Sequence, residues 1–365
     1  MDKTILILGS GIGGIVTARE LRRHLGESHR IILVDREPVL AFPPSFLWVM
    51  IGWRTPEAVQ KSLALVSKYG IEYRRATVEE ISVADRKVRT SAETIPFDYL
   101  VIALGAEPLE NAAVGSRAGF QSLDTLRCVE DLRRRIGAFG QGSVAVVIGG
   151  TPYRCPPVPY ETAFLLDSYF RRRSASVSIE VATPEKEPLS GLGRAAGGMI
   201  RTMTGERAIG LRTGIAAAPE ADLVIYIPPV GAPGVVRDAG ITDASGWIPV
   251  DPHSMETAHE NIFAIGDIAG IRLPEGFAFP KGGILAADHA ETAAHIIARR
   301  IHGREPVKFF NGVGSCFLEV GNGRAGFIHA ELYASPEPKL VFHEPSVGYH
   351  WAKVVHEKYW LWRWF

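Results

Sequence analysis

The chain has 365 residues, and its 40 lysine and arginine residues are balanced by 40 aspartate and glutamate residues. A net charge of zero argues against a protein that coats nucleic acid, and three cysteines are too few for a secreted disulfide scaffold. The sequence has neither an apolar run of ~18 residues that could span a bilayer nor an N-terminal signal segment. We therefore expect a cytoplasmic protein that is soluble or peripheral on the inner face of the membrane.

The first strand-like run opens directly into a dinucleotide-binding fingerprint. The apolar residues 4–8 precede GSGIGG, a helical pattern follows, and a second β-branched run ends in Asp35. In such a turn Gly9 makes the sharp bend, Gly11 lets a pyrophosphate approach the backbone, and Gly14 lets the helix pack on the strand. Asp35 stands where a carboxylate can bind a ribose hydroxyl, and the helix N-terminus supplies an anion site. The pattern predicts a nucleotide-binding βαβ unit.

Local patterns also predict the segments that follow this unit. Residues 41–46 form an irregular loop, a helical stretch runs from Pro56 to Tyr69, and a strand covers Ile71–Glu80. Within that strand Val78 stands where the backbone could contact the adenine side of a dinucleotide.

Two later blocks and one lysine complete the pattern of a cofactor site. The block FDYLVIALG ends at Gly105, and the block NIFAIGD ends at Gly266 and Asp267. Lys281 stands just before a long alanine-rich helix. From the residues alone, Asp267 could equally be a helix N-cap and Lys281 a surface residue in a loop.

The order of these blocks resembles the two-dinucleotide-binding flavoproteins over essentially all of residues 1–310. The resemblance implies an α/β fold with two Rossmann-like domains and FAD as the cofactor. Residues 1–108 and 241–310 would form a discontinuous FAD-binding domain, and residues 109–240 an inserted second domain. Residues 311–365 would be a C-terminal redox and acceptor-side segment.

The same resemblance implies contacts between these residues and FAD. Gly105 would let the chain pass close to the cofactor, and Gly266 with Asp267 would bind its ribityl or pyrophosphate portion. Lys281 would lie against the N1–C2=O2 edge of the isoalloxazine ring. Together with the helix N-terminus it would stabilise an anionic reduced flavin.

The inserted domain lacks the signature of a nicotinamide site. Residues 149–154 read GGTPYR, so a bulky residue replaces the third glycine, and Pro152 removes an amide donor that a phosphate cradle needs. The domain is therefore predicted to be degenerate for NAD(P)H, and a type II NADH dehydrogenase is the weaker interpretation. Glutathione-reductase-type enzymes and coenzyme A-disulfide reductases need a cysteine near residues 40–47, where the sequence reads AFPPS.

Two cysteines stand in distinctive surroundings far apart in the chain. Cys155 lies in YRCPPVPYE and Cys316 in GSCFLEVGNG, whereas a metal site would use close pairs such as C-x2-C. Both blocks resemble the sulfide:quinone oxidoreductases and the flavoprotein subunit of flavocytochrome c sulfide dehydrogenase. That resemblance implies a redox pair over the flavin. The spacing by itself shows only two thiols, which could also be unrelated buried residues.

The chemistry implied by the resemblance starts with hydrosulfide attacking a Cys155–Cys316 disulfide or a bridging polysulfide. A persulfide then forms on one cysteine, expected to be Cys155, and a thiolate on the other, expected to meet the flavin. Glu161 and Glu319 are candidate proton carriers, or else solvated surface carboxylates. Cys128 is a candidate third redox cysteine, as in some sulfide:quinone oxidoreductases, or else a packing residue near a helix start.

The last 15 residues hold four of the seven tryptophans. The apolar residues near one predicted helical face are Trp351, Val355, Tyr359 and Trp362. The charged residues placed elsewhere are Lys353, Glu357 and Arg363. Such a helix could lie in the headgroup region of a membrane and give access to quinone, pack over the flavin domain, or form an oligomer contact. The phenylalanines that could line a quinone pocket or belong to the core are Phe309, Phe310 and Phe317.

These observations predict an FAD enzyme that oxidises sulfide or a related sulfane species, with quinone as the preferred electron acceptor. The alternative is a sulfide dehydrogenase subunit that donates electrons to a cytochrome c partner. That subunit tethers FAD through a cysteine in the loop at residues 41–45, which has no cysteine here. A flavin-binding redox sensor is the non-enzymatic alternative. No nucleic-acid partner is expected, and a homo-oligomer is left open.

Overall fold

The structure is a computed structural model that describes residues 2–109, 120–215, 218–273, 276 and 278–365. The α-helices in chain order are α1 (Ile12–Leu25), α2 (Phe46–Met50), α3 (Leu126–Ala138), α4 (Val158–Arg172), α5 (Arg194–Glu206), α6 (Gly234–Asp238), α7 (Gly283–Ile301) and α8 (Val347–Arg363). The 3-10 helices are Pro43–Ser45, Glu57–Val59, Leu63–Tyr69, Ser190–Leu192 and Gly266–Ile268.

The strands in chain order are β1 (Thr4–Leu8), β2 (Arg30–Asp35), β3 (Val39–Ala41), β4 (Gln60–Ser62), β5 (Glu72–Arg75), β6 (Val78–Ser82), β7 (Lys87–Thr90), β8 (Thr94–Pro96), β9 (Tyr99–Ile102), β10 (Glu107–Pro108), β11 (Phe120–Ser122), β12 (Gln141–Ile148), β13 (Ser176–Ala182), β14 (Gly210–Arg212), β15 (Leu223–Ile227), β16 (Val230–Gly231), β17 (Ile248–Pro249), β18 (Ile262–Ala264), β19 (Ala269–Gly270), β20 (Val313–Gly321), β21 (Arg324–Glu331) and β22 (Lys339–Ser346).

The apolar run at the N-terminus forms the central strand of a parallel sheet with the order β18–β9–β1–β2–β5. Successive residues of β1 point to opposite faces of this sheet. Ile5 and Ile7 belong to one hydrophobic cluster, and Leu6 and Leu8 belong to the other. A parallel strand that is covered on both faces has to be apolar throughout, which explains the unbroken run.

A second parallel sheet has the order β11–β15–β12–β13–β14 and draws its strands from residues 120–227. The first sheet takes strands from both before and after this segment, because β18 pairs with β9. The prediction of an α/β fold with two Rossmann-like sheets is confirmed. The domain limits at residues 108, 240 and 310 stay predictions.

The C-terminal part forms an antiparallel sheet with the order β20–β21–β22, followed by α8. Strand β20 packs against α4 and α7, and α8 packs against β21. Through these contacts the C-terminal sheet and α8 lie beside α4, the helix that follows Cys155.

Three local predictions are wrong in detail. The predicted loop at residues 41–46 contains the end of β3, a 3-10 helix and the start of α2. The stretch from Pro56 to Tyr69 is two 3-10 helices separated by β4, because residues 60–62 pair with β3 instead of continuing a helix. The single strand predicted over Ile71–Glu80 is two strands in different sheets, β5 beside β2 and β6 beside β7.

Candidate functional site

The glycine turn after β1 is held by close backbone contacts. Gly9 has φ +93°, and its N–H donates to the carbonyl of Val34. A Cβ at Gly9 would lie 2.4 Å from the carbonyl oxygen of Ala103, and one at Gly14 would lie 1.8 Å from the carbonyl oxygen of Gly9. Only glycine fits these two positions, so the turn has the tight geometry that the fingerprint requires.

Gly11 differs from its neighbours because its missing side chain faces open space. No atom of the described residues lies within 4 Å of a Cβ built at this position, which is the N-cap of α1. Asp35 borders the same turn, where its Oδ2 accepts hydrogen bonds from the N–H and the hydroxyl of Ser10 at 2.6 and 2.7 Å. An open backbone at a helix N-terminus beside a carboxylate can hold a pyrophosphate and a ribose.

The other predicted glycines lie in left-handed turns at the ends of strands. Gly105 follows β9 with φ +68° and faces open space, and Gly266 follows β18 with φ +69°. The N–H of Gly266 donates to Nδ1 of His289 at 3.2 Å. Val78 is the first residue of β6 and pairs with Thr90, and its predicted adenine contact stays a prediction.

Asp267 lies in a cluster of buried charges between β18 and α7. Burial raises the pKa of its carboxyl, while Lys281, Arg154 and the backbone N–H of Gly282 act in the opposite direction. Burial lowers the pKa of Lys281 to about 8, and its Nζ donates to the carbonyl of Ala269 at 3.0 Å. The cluster can therefore place positive charge against an electron-rich ligand.

Cys155 occupies a strained position immediately before α4. It has φ +51°, which is unfavourable for a residue with a side chain and is typical of functional sites. Its N–H donates to the carbonyl of Lys281 at 2.7 Å, and its carbonyl accepts from the N–H of Val158 at 2.9 Å. This backbone bond joins the cysteine directly to the lysine that the sequence predicts at the flavin.

The structure brings Cys316 of β20 into the surroundings of Cys155. Burial raises the pKa of the Cys155 thiol, and the neighbouring Cys316 and Glu161 raise it further. Burial also raises the pKa of Cys316 to about 12, with Glu161 acting in the same direction. Both are free thiols, and Lys353 lowers the pKa of each. These two cysteines share one electrostatic environment.

A buried network of charges lies beside the two thiols. Oε1 of Glu161 accepts from Nζ of Lys353 and from the backbone N–H of Glu319, the latter at 2.9 Å. The fully buried carboxylate of Glu319 pairs with Nδ1 of His350 at 2.9 Å. Burial raises the pKa of Glu319, which Lys353 opposes and Glu161 reinforces. Burial alone would lower the pKa of Lys353, but Glu161 and Glu319 raise it.

Glu161 and Glu319 are therefore buried partners in one network, and the alternative of solvated surface carboxylates is excluded. Lys353 and His350 were not predicted as site residues. Both come from α8, and their partners are distant in sequence, so no local pattern distinguished them from the other polar residues of this helix. Arg154 was also missed, although it directly precedes Cys155.

A second buried carboxylate fastens α8 to the loop after β3. Glu357 accepts from the hydroxyl of Ser45 at 2.6 Å and from the guanidinium of Arg54, whose Nη2 lies 2.9 Å away. Burial opposes the charged form of Glu357, but the hydrogen bonds from Arg54 and Ser45 hold its pKa below the usual range. The guanidinium of Arg54 and Nζ of Lys353 both lie over the ring of Trp48.

The C-terminal helix α8 buries charged residues and exposes apolar ones, the reverse of a simple amphipathic helix on a protein surface. Lys353 and Glu357 are buried, whereas the apolar stripe is exposed, with Trp351 60% and Trp362 74% accessible. The exposed stripe of α8 is Val347, Trp351, Val355, Tyr359 and Trp362. Trp360 and Leu361 on the inner face of α8 pack on the rest of the protein. The helix therefore both packs on the protein and exposes an apolar face. No helix in the described part of the chain has the length and apolar character to cross a bilayer.

The remaining candidate residues, one cysteine and three phenylalanines, lie in different parts of the structure. Cys128 lies in the first turn of α3, where its N–H and its thiol both contact the hydroxyl of the N-cap Thr125. None of the interactions described joins it to the other two cysteines, and its redox role stays a prediction. Phe310 is buried in an aromatic cluster, Phe309 is exposed, and Phe317 packs on Phe327.

The described residues fit a bound flavin dinucleotide. Gly11 and Gly105 leave open space where a Cβ would intrude, and the buried Nε of Arg154 has no partner in the described part of the chain. An orphaned guanidinium nitrogen and a buried lysine are donors suited to an anionic ligand.

Comparisons with known proteins agree with this site. Residues 3–154 match the family described as pyridine nucleotide-disulphide oxidoreductase, and residues 129–190 match the central part of the sulfide dehydrogenase [flavocytochrome c] flavoprotein chain. The sulfide-quinone reductase of Aquifex aeolicus is 28% identical, over 100% of this chain and 91% of that protein. The solved sulfide:quinone oxidoreductase from the same species superposes with a TM-score of 0.88 at 25% identity, over 99% of this chain and 91% of that one.

The chain is similar over essentially its whole length to the sulfide:quinone oxidoreductases, and part of it matches the flavocytochrome c sulfide dehydrogenase flavoprotein chain. It is accordingly an FAD-dependent oxidoreductase. The mouse protein named sulfide:quinone oxidoreductase, mitochondrial, is 23% identical over 91% of this chain and 79% of its own length. The cofactor residues of the glycine turn and the Lys281 cluster are the ones that would hold FAD.

Proposed function

We propose that this enzyme oxidises sulfide at Cys155 and Cys316 and passes the electrons through FAD to a quinone. The observation that carries the proposal is the pair of buried thiols that share the Glu161–Lys353 ion pair as a neighbour. The backbone carbonyl of Lys281 also accepts a hydrogen bond from the N–H of Cys155. The names of the relatives support the same substrates, since two of them are sulfide–quinone enzymes.

In the proposed reaction hydrosulfide attacks Cys155 of a Cys155–Cys316 disulfide. A new S–S bond forms on Cys155, the old one breaks, and Cys316 leaves as a thiolate. Hydrogen bonds from the N–H and to the carbonyl of Cys155 hold its backbone in the strained conformation. When bound, FAD accepts two electrons from the sulfur centre and transfers them to the acceptor.

Lys353 stabilises the leaving thiolate in this scheme. Burial, the second cysteine and Glu161 all disfavour a negative charge on sulfur, and Lys353 is the cation that opposes them at both cysteines. Glu319 links the Glu161–Lys353 pair to His350, the more accessible member of the Glu319–His350 pair, and is the group through which a proton would pass between the thiols and His350. Lys281, whose carbonyl accepts the N–H of Cys155, would lie against the isoalloxazine ring.

The exposed stripe of α8 supports a membrane surface as the source of quinone. Its aromatic and aliphatic side chains recur every three or four residues along one face of the helix and expose apolar area to water, which is unfavourable. Tryptophan and tyrosine are the side chains that membrane interfaces favour. We propose that this stripe rests in the headgroup region and that the redox site draws quinone from the adjoining acyl layer.

An anaerobic sulfide titration followed by absorbance tests the proposal. Sulfide should bleach the flavin of the purified holoenzyme, and decylubiquinone should restore its colour. If sulfide leaves the flavin oxidised at every concentration, both sulfide-oxidising assignments are wrong.

A cytochrome acceptor is the second candidate, supported by the match of residues 129–190 to the flavocytochrome flavoprotein chain. The loop at residues 41–45 has no cysteine to tether FAD as that family does, which favours quinone. Reoxidation of the sulfide-reduced flavin by cytochrome c, with no response to decylubiquinone, would reverse the preference.

A further inference from the structure

A cationic cavity opens at the C-terminal end of α8, away from the redox thiols. It has a volume of about 590 Å³ and lies between α1, the 3-10 helix Leu63–Tyr69 and the last turn of α8. The basic side chains that line it are Arg19, Lys61, Lys68, Lys358 and Arg363. Among the lining side chains there is no aspartate or glutamate.

Several of these cations have unused capacity for an anion. Lys61 and Lys68 make no ion pair with any residue that the structure describes. The guanidinium of Arg19 stacks on the ring of Tyr69 at 3.2 Å, and its buried Nε has no hydrogen-bond partner in the described residues. Arg363 reaches Glu20 only at 3.8 Å, and Lys358 reaches Glu357 at 3.4 Å. The cavity therefore keeps an excess of positive charge.

The rim of this cavity is apolar and continuous with the exposed stripe of α8. Trp362 lines the cavity and is 74% accessible, and its ring lies 6.0 Å from that of Tyr359, the next member of the stripe. Leu65, on the opposite wall, is also exposed. Cations beneath an exposed aromatic rim match a ligand that has an anionic head and an apolar body.

We propose that this cavity binds the headgroup of an anionic phospholipid. The phosphate would lie among Arg19, Lys61 and Lys68, while the acyl chains continue along Leu65 and the exposed stripe of α8. Lysine and arginine near an anionic bilayer attract it through the negative surface potential, and an inserted tryptophan adds apolar contact. The inference rests on the membrane surface proposed above, and it adds a lipid preference that an apolar stripe alone does not provide.

Vesicle co-sedimentation of the holoenzyme separates these contributions. Each protein is mixed with phosphatidylcholine vesicles, with and without phosphatidylglycerol. The proteins are wild type, the cavity variant Lys61→Gln/Lys68→Gln, and the charge-matched control Lys87→Gln/Lys186→Gln. Each lysine contributes about fivefold, so the cavity variant should lose about 25-fold in partitioning to phosphatidylglycerol vesicles. Its weak partitioning to phosphatidylcholine should not change. The control should behave as wild type, and the preference should collapse at high salt.

A second pair of variants tests the stripe independently of the cavity. Trp362→Ser should weaken binding to both kinds of vesicle, whereas Val307→Ser, an exposed apolar residue elsewhere, should have no effect. Unchanged binding of Trp362→Ser to both kinds of vesicle would refute the stripe and leave the cavity. Sulfide-dependent bleaching in the absence of vesicles reports the redox proposal separately.

Three outcomes would overturn the lipid assignment. Equal binding of wild type and the cavity variant to phosphatidylglycerol would show that the lysines do not select the lipid. Displacement by inorganic phosphate beyond that of chloride at equal ionic strength would assign the cavity to a soluble anion. A dimer that Trp362→Ser dissociates, together with no vesicle binding by wild type, would assign the stripe to a second copy of the chain.

Discussion

Glu161 and Glu319 are 158 positions apart, yet the carboxylate of Glu161 accepts the backbone N–H of Glu319 at 2.9 Å. Glu161 lies in the first turn of α4, six residues after Cys155, and Glu319 lies three residues after Cys316 in β20. This hydrogen bond joins α4, which follows Cys155, to β20, which carries Cys316. Lys353 donates to the same carboxylate oxygen of Glu161. The lysine that lowers the pKa of both thiols is therefore bonded to the residue that connects α4 to β20.

Replacing Lys353 tests this electrostatic role. Lys353 lowers the pKa of both cysteines, so Lys353→Met should raise their pKa values and reduce the thiolate fraction at neutral pH. Each pKa unit lowers that fraction about tenfold. Stopped-flow reduction of the flavin by sulfide should slow, and its pH profile should move to higher pH.

Two further variants control this experiment. Lys353→Arg keeps the charge and should recover part of the rate, and Lys339→Met removes an exposed lysine and should leave the profile unchanged. An unchanged pH profile in Lys353→Met, with FAD content and thermal stability intact, would contradict the role of Lys353.

Single cysteine replacements test which thiols carry the reaction. Cys316→Ser should bind FAD normally and lose sulfide-dependent bleaching, because the leaving thiolate is absent. Cys128→Ser should retain bleaching, since the contacts described for Cys128 are those of a helix N-cap. Absorbance spectra during sulfide titration measure both. Loss of bleaching in Cys128→Ser would establish a third redox cysteine, and full activity of Cys316→Ser would refute the pair.

Glu357 provides a stability test that does not depend on catalysis. Glu357→Gln removes the carboxylate that pairs with Arg54 and Ser45 inside the protein, and should cost about 3–5 kcal/mol of unfolding free energy. Glu344→Gln, an exposed control, should cost less than about 0.5 kcal/mol. Urea unfolding followed by fluorescence measures the difference.

The pH dependence of this difference has a defined sign. The folded pKa of Glu357 is lowered, so its stabilising effect is fully present above the ordinary glutamate pKa. The effect should be lost as the pH falls from that value through the folded pKa. A difference between wild type and Glu357→Gln that is constant across this acidic range would contradict the ion pair.

A substitution in the glycine turn can impair FAD binding without impairing folding. Gly11→Ala places a methyl group in open space, so the chain should fold, but the methyl group would occupy the dinucleotide cradle. FAD affinity should fall about tenfold or more. Gly137→Ala, also in open space but within α3, should bind FAD as wild type does. Flavin fluorescence titration of the two variants decides, and equal affinity would place the cofactor elsewhere.

Local sequence patterns were sufficient for the parts of the molecule that depend on neighbouring residues. The βαβ fingerprint follows from an apolar run and from glycine spacing, because steric limits act over a few residues. The second Rossmann-like sheet was implied by the family resemblance. Residues 56–69 and 71–80 were misjudged, since their conformation depends on pairing with β3 and on the change from one sheet to another.

The orientation of the charged residues of α8 could not be predicted from local sequence patterns. The sequence by itself determined an amphipathic C-terminal helix and two cysteines in family-like blocks. Only the tertiary structure decided that Lys353 and Glu357 face inward and the tryptophan stripe faces outward. The physical reason is that a buried charge is stable only beside a partner, and those partners, Glu161 and Arg54, come from distant elements. The charge that tunes the thiols is therefore a property of the folded chain.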